Sequence, residues 1–282
     1  LTNIPGVTTT HSMNIIAVIL YPINRLMDYI PGLNKRIDAN WLKGKIGVFA
    51  ENHVMGFMIA ILLGIFAKYS VQETLILGVQ GGTALTLFPM VAKLFMQALA
   101  PISDATSEFM KKHSRGRNFY IGLDWPILAG CNEIWVTTIL LVPITLVLAV
   151  ILPGNNILPF AGIINLSIAV PALLVTGGNL LRMVILGTLA TPIFLYAATE
   201  FAPTITQLAL DTKALEIPSG QMLSWSTIEY PVFRYIFAHA ANIINGEFTG
   251  FIAAIIWLGL FAWYIKGMRA RTKAFEEEEK AA

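Results

Sequence analysis

The sequence predicts an all-α polytopic membrane protein: about six spanning helices, an amphipathic helix, and re-entrant or broken helices among them. Three observations predict it. Of 282 residues, 56% are hydrophobic and only 13% charged, against roughly 25% charged in an ordinary soluble domain. The mean hydropathy is +0.67. Several apolar runs approach or exceed the ~20 residues that cross a hydrocarbon core, whereas the buried strands of a soluble protein run to about 4–8.

The first element is residues 13–30, "MNIIAVILYPINRLMDYI". Ile16, Ile19, Leu20, Ile23, Leu26, Met27 and Ile30 recur at steps of three and four, and Asn14, Asn24, Arg25 and Asp28 fall elsewhere. That period predicts an amphipathic helix, bent at Pro22 and ended by Pro31–Gly32, lying in the membrane interface or packed on a bundle. A basic stretch follows, with Lys35, Arg36, Lys43 and Lys45.

The spans come next. Residues 53–69 form one; residues 74–100 form another, interrupted by Gly81–Gly82 and Pro89, with Lys93 snorkelling to the inner face. The loop 103–118 is basic. Segment 119–152 is longer than one span needs, so 119–125 is expected to be a separate short piece. Residues 157–175, 183–201 and 248–265 complete the set, spaced by "PGNN", "TGGNLLR" and a mixed stretch. The chain reads as one membrane domain, 1–282, with its bundle at 53–265 and a tail at 266–282.

Lysine and arginine excess marks the cytoplasmic side. Six crossings put the basic stretch 35–45, the loop 103–118, Arg182 and the tail on one side. That predicts a cytoplasmic C-terminus.

Other classes find no support. The net charge is +2, and no basic face carries interleaved aromatics, so no nucleic-acid partner is expected. Cys131 is the one cysteine, which excludes an intramolecular disulfide and a cysteine-based metal site. His11, His53, His113 and His239 lack ligand spacing, so neither metal nor cofactor is expected. The chain opens on Leu1 with no signal-peptide pattern, so a processed start or a fragment is expected.

The candidate site lies in "IGLDWPILAGCNEIW", residues 121–135. Asp124 before Trp125–Pro126 is a helix-start signal, an acidic N-cap with proline in the first turn. A helix starting at membrane depth is also the broken-helix arrangement of transporter sites. An ionisable group in a span costs roughly 2.5–3.5 kcal/mol on insertion scales, and such groups face polar pathways. Asp124 and Glu133 are nine residues apart and oppose each other on one continuous helix. Asn132 beside them donates and accepts. Contact with a polar substrate and a purely structural role both stay open for these residues.

Other positions carry structural readings first. Glu51 opens a span as a cap and dipole partner. Gly81 and Gly82 suggest close packing or a broken helix. "TTTHS" with His11 reads as caps and turns, and Asn179 sits in a turn that could gate or brace the next span.

"FYIGLDWPILAG", "ILPGNNILPF", "GGNLLR", "IPGLNKRI" and the Glu51-led span together resemble the membrane-embedded IIC subunit of galactitol-type bacterial phosphotransferase systems, and more distantly the ascorbate-type IIC. The resemblance runs from near the N-terminus to about residue 200. It implies a homodimeric permease in the inner membrane that carries a polyol or sugar while IIB, charged by IIA, phosphorylates it. It implies that Asp124 contacts sugar hydroxyls and that His11 falls near a family histidine loop. Family chains extend before Leu1, so the chain is expected to be the C-terminal portion of one. Cys131 and Asn132–Glu133 depart from the pattern, which marks Glu133 as a candidate selectivity position. The competing readings are an ion-coupled secondary transporter of a small polar solute and a truncated, non-transporting fragment.

Overall fold

The computed structural model describes residues 7–8, 12–113, 121–122, 131–158, 161–223 and 231–281. Among the described residues it is helical apart from one two-residue parallel pairing, β1 (Val7–Thr8) with β2 (Ile121–Gly122). The helices are α1 (Ala17–Met27), α2 (Ala39–Ile46), α3 (Asn52–Phe66), α4 (Val71–His113), α5 (Asn132–Ile151), α6 (Ala161–Thr176), α7 (Leu180–Asp211), α8 (Pro231–Ala240) and α9 (Thr249–Ala281).

Long runs of Leu, Ile, Val and Ala can bury in lipid only if every backbone amide bonds within its own segment, which the α-helix achieves. Several hydroxyls inside these helices are satisfied the same way. Thr176, Thr188, Thr191 and Thr206 each donate to the carbonyl four residues back, at 2.8, 2.9, 2.8 and 2.6 Å.

Among the described residues, four helices are long and apolar enough to cross a membrane: Val71–Leu99 within α4, α5, α7, and Thr249–Ala274 within α9. A fifth span results if Ala39–Ala50 and Asn52–Phe66, bent by 60°, count as one. Two expected spans therefore come out differently. The segment 53–69 is α3, whose 15 residues reach spanning length only with the bent piece before it. The segment 157–175 is α6, 16 residues long, or about 24 Å at 1.5 Å per residue.

The core is built by α5, α6 and α7 with α1 laid into it. Leu20, Ile134, Leu141, Ile168, Leu173, Met183, Leu186, Phe194 and Leu195 are its largest fully buried side chains. α7 approaches α5 closely at Gly187, where a Cβ would stand 2.4 Å from Leu141 Cδ1. α1 resolves the choice left by its amphipathic period: it packs on α6, α7 and α9. Its buried set differs from the periodic reading. Ala17, Val18, Leu20, Asn24 and Met27 are buried, while Leu26 and Ile30 are exposed.

α3 and α4 form a tight hairpin. A Cβ on Gly56 would lie 2.7 Å from the carbonyl oxygen of Gly81, one on Gly81 2.8 Å from that of Gly56, and one on Gly82 2.8 Å from that of His53. Small residues let two backbones touch where lipid gives no hydrophobic push. The hairpin meets the core through α3 against α5 and through Phe88 stacked on Trp135, centroids 5.4 Å apart.

The end far from the basic loops is tied by "PGNN". Asn155 Nδ2 donates to the carbonyls of Ala149 and Ile157, both at 2.7 Å, and Thr199 Oγ1 donates to Asn155 Oδ1 at 3.0 Å. Residues 266–281 continue α9 as helix.

Candidate functional site

The polar machinery gathers at the end of the bundle where α2, α5 and α7 begin. Its anchor is Arg182, in the first turn of α7, with 9% of its side chain exposed. A helix N-terminus repels cations, so this guanidinium needs strong acceptors. It has them: Nε donates to Leu33 O at 2.8 Å, Nη1 to Asp28 Oδ1 at 2.7 Å and Asn24 Oδ1 at 3.2 Å, and Nη2 to Asn34 Oδ1. Asn179 caps α7 by accepting from Arg182 N at 3.3 Å and donates to Lys35 O at 2.9 Å. Leu180 N donates to Ile37 O at 2.7 Å. "GGNLLR" and "IPGLNKRI" are thus two halves of one joint.

α5 begins at Asn132, and Cys131 before it is extended (φ −87°, ψ 115°). A helix starting at Trp125 falls outside the described residues. The helix that carries Glu133 therefore begins at Asn132. Burial, and after it the neighbouring Glu133 carboxylate, pushes the Cys131 thiol up from its usual range.

Two sets of cavities flank the start of α5. The first, about 370 Å³, lies between α2, α3, α4 and α5. Asn40, Asn52, His53, Thr86, Lys93 and Asn132 supply polar groups to it, and Glu51 and Lys43 form an ion pair at its wall. The second set lies on the other side. A cavity of about 520 Å³ is lined by Arg36, Cys131, Glu133, Gly177, Gly178 and Arg271, among others. A neighbouring one of about 320 Å³ shares Arg36, Gly177 and Arg271 and adds Asp28, Asn34, Asn179 and Arg182.

The adjacent residues Asn132 and Glu133 therefore open onto different cavities. Glu133 Oε1 also accepts from Ala39 N at 3.4 Å, at the N-terminus of α2, beside the cap that Asp38 makes with Trp41 N at 2.8 Å. Glu51 stands at the cap position of α3, but its carboxylate makes no cap bond there and turns to Lys43. Gly81 and Gly82 are in the α3–α4 contact, and Gly82 also lines a groove with His53. Lys93 lines the 370 Å³ cavity. Asp124 and His11 lie outside the described residues. The pairing of Thr8 with Gly122 joins the two chain stretches that lead to them.

The sequence reading missed Asn24, Asp28, Asn34, Arg36 and Arg271 as site-forming residues. A signal existed for the first three: a lone arginine just inside a helix N-terminus demands an anion or carbonyls from elsewhere. Nothing comparable pointed to Arg271.

An all-α bundle with spanning helices and a polar, cavity-bearing end defines a multi-pass membrane protein. The chain belongs to the EIIC-GAT family, described as the PTS system sugar-specific permease component, whose pattern matches residues 1–220. It is 33% identical over 275 residues to the PTS system galactitol-specific EIIC component of Escherichia coli K12, covering 96% of this chain and 58% of the relative. A putative permease IIC component of the same strain is 31% identical over 225 residues, covering 75% of this chain and 50% of that relative. The chain thus spans little more than half the length of the curated relatives it matches. No solved structure matches it.

Proposed function

We propose that the chain forms the translocating part of a phosphotransferase-system IIC permease in the bacterial cytoplasmic membrane. Its passenger is a galactitol-like polyol, phosphorylated during passage by a IIB partner that IIA recharges. The observation that carries this reading is the 370 Å³ cavity at the start of α5. Its volume lies in the ordinary range for small-molecule sites. Its lining suits a polyhydroxyl ligand: Asn40, Asn52 and Asn132 both donate and accept, and His53 and Thr86 add adaptable partners.

In this reading the amides fix the hydroxyls of the passenger and the hydroxyl to be phosphorylated is brought to the basic end. Phosphoryl transfer needs mainly positioning and charge stabilisation. The attacking hydroxyl loses its proton to a carboxylate, for which we propose Asp124, two residues beyond the β2 pairing. His11 is proposed as a further substrate-contacting residue on the family resemblance, and Glu133 tunes selectivity from the far side of α5. The clustering of Arg36, Arg182 and Arg271 at one end supports a cytoplasmic C-terminus under the positive-inside rule. A homodimer is proposed on the family resemblance.

The experiment is reconstitution of the chain in vesicles with IIB, IIA and the energy-coupling proteins, followed with labelled galactitol. Phosphorylated galactitol inside, appearing only when IIB is present, is the expected result. Unmodified galactitol accumulating without IIB and collapsing with the ion gradient identifies an ion-coupled carrier instead. Absence of both binding and uptake assigns the chain to the non-transporting reading.

A further inference from the structure

We propose that Glu51 is a specificity-determining ligand for the passenger: its carboxylate, held from one side by Lys43, accepts a hydrogen bond from one hydroxyl of a polyol seated in the 370 Å³ cavity. The proposal rests on the permease reading above and names the side chain of that cavity that reads the pattern of hydroxyls.

Glu51 reaches the cavity because the helix breaks there. It is extended (φ −71°, ψ 136°) between the short turn Gly47–Ala50 and the start of α3. The helical pieces on either side are bent by 60°. A polar side chain at a cap position ordinarily turns back onto the amides of its own helix. Glu51 makes no such bond, and its Oε1 meets Lys43 Nζ at 2.5 Å instead. An ionised carboxylate offers about four acceptor positions on its two oxygens. Lys43 engages Oε1; among the described residues no partner is bonded to Oε2. The Glu51 side chain is 36% exposed and lines the cavity wall.

The rest of the lining makes that oxygen distinctive. Asn40, Asn52 and Asn132 carry neutral amides, and the ammonium groups of Lys43 and Lys93 only donate. Among the described residues, Glu51 is the one carboxylate lining the cavity. Every hydroxyl of a polyol carries a proton that needs an acceptor. An ionised acceptor makes a shorter bond, roughly twice as strong as a neutral one. Lys43 holds the carboxylate in one orientation and leaves its second oxygen open. A site built to bond a hydroxyl rejects the analogue that lacks it, because the group in the site is then left short of a partner. The ion pair by itself adds little to stability, since its side chains are 60% and 36% exposed and solvent screens them. Its consequence is recognition.

The test is a cycle between side chain and ligand. Binding of galactitol and of each monodeoxygalactitol is measured by calorimetry on the chain in nanodiscs, for the unaltered protein and for Glu51→Ala. In the unaltered protein, the analogue missing the contacted hydroxyl is expected to bind about tenfold more weakly than galactitol. In Glu51→Ala, galactitol itself is expected to weaken about tenfold and the penalty for that one deoxygenation to vanish, while the penalties at other positions persist. Glu51→Gln keeps the shape without the charge and is expected to fall between. A structural role acting through the ion pair leaves every deoxygenation penalty as it was. Lys43→Met breaks the same pair and is expected to cost galactitol less affinity than Glu51→Ala does. Melting temperatures are read alongside and are expected to stay close to that of the unaltered protein; Glu51→Gln carries the cycle if Glu51→Ala fails to fold. Deoxygenation penalties that are the same with and without the Glu51 carboxylate overturn the proposal, as does a loss of galactitol affinity in Lys43→Met equal to that in Glu51→Ala. IIB-dependent uptake with galactitol affinity unaltered in the Glu51 variants sinks this ligand and leaves the permease reading standing. No galactitol binding together with no IIB-dependent product sinks the reading, and the proposal with it.

Discussion

Arg182 reaches Asp28 at 2.7 Å across 154 residues of chain, with its side chain 9% exposed and that of Asp28 36% exposed. The pair is one strand of a larger clamp, since Asn24, Asn34 and the carbonyl of Leu33 accept from the same guanidinium. It fixes the loop between α1 and α2 onto the start of α7. Both cavity sets are walled by elements that this joint positions.

Removing the guanidinium leaves the buried Asn24 Oδ1 and the part-buried acceptors on Leu33, Asp28 and Asn34 without this donor. Arg182→Ala is expected to destabilise the protein by about 3 kcal/mol, the range for breaking a buried charge pair from one side. Asp28→Asn is expected to cost about 1 kcal/mol or less, because Asp28 is more than a third exposed and solvent screens it. Thermal melting in detergent checks both. A larger loss for Asp28→Asn than for Arg182→Ala contradicts this ordering.

The α3–α4 hairpin predicts an intolerance of a different kind. Gly56→Ala and Gly81→Ala each drive a methyl into the carbonyl of the facing glycine, within 3 Å. Backbone cannot swing aside as a side chain does, so each is expected to cost about 1–3 kcal/mol, the usual range for overpacking. Gly259→Ala on α9, where a Cβ meets nothing within 4 Å, is the control and is expected to be neutral. Melting of the three variants in parallel gives the answer.

Much of this architecture was legible in the sequence, and the reasons for the rest are physical. Apolar runs are a local property, so the helices of the bundle could be read from them. The length of a helix is less local. α7 runs on to Asp211 and α9 to Ala281 because polar residues past the apolar stretch still favour helix and find neighbours. Asn132 and Glu133 stood out as polar residues in an apolar stretch, but their separation onto two cavities depends on where α5 starts, and extended Cys131 decides that. The Arg182 joint is a long-range pairing of two motifs that periodicity cannot connect. Arg271 looked like one charge among many in a basic tail until α9 carried it onto the end of α6.

In the site itself, Asn132 is the most informative described residue. It lines the 370 Å³ cavity at the first turn of α5, away from the Arg182 clamp. Asn132→Ala is expected to weaken galactitol binding about tenfold, the worth of one or two neutral hydrogen bonds, while melting shifts little. Asp124→Asn is expected to abolish uptake while membrane insertion stays intact. Uptake and binding measured on the same preparations separate the two roles, since loss of binding by Asp124→Asn alone would make it a ligand for the hydroxyls and no more. Unchanged uptake reduces Asp124 to a helix cap.

The Cys131 thiol offers a reading of the same neighbourhood through pH. Burial chiefly, and the Glu133 carboxylate next, hold its pKa above the usual value, which is about 8.5 for a free thiol. The neutral thiol is therefore the form the folded state favours. Its contribution to stability is fully present below the unfolded pKa and is lost as pH rises through that value towards the folded one. Maleimide reacts with the thiolate, so labelling at pH 7 is expected to be slower than for a small exposed thiol, and to climb at a higher pH. Glu133→Gln removes the nearby negative charge and is expected to shift the labelling curve towards lower pH without reaching the free-thiol value, because burial remains. A curve that does not move with Glu133→Gln places the carboxylate too far from Cys131 to act on it, and with it the shared cavity that brings Glu133, Cys131 and Arg271 together.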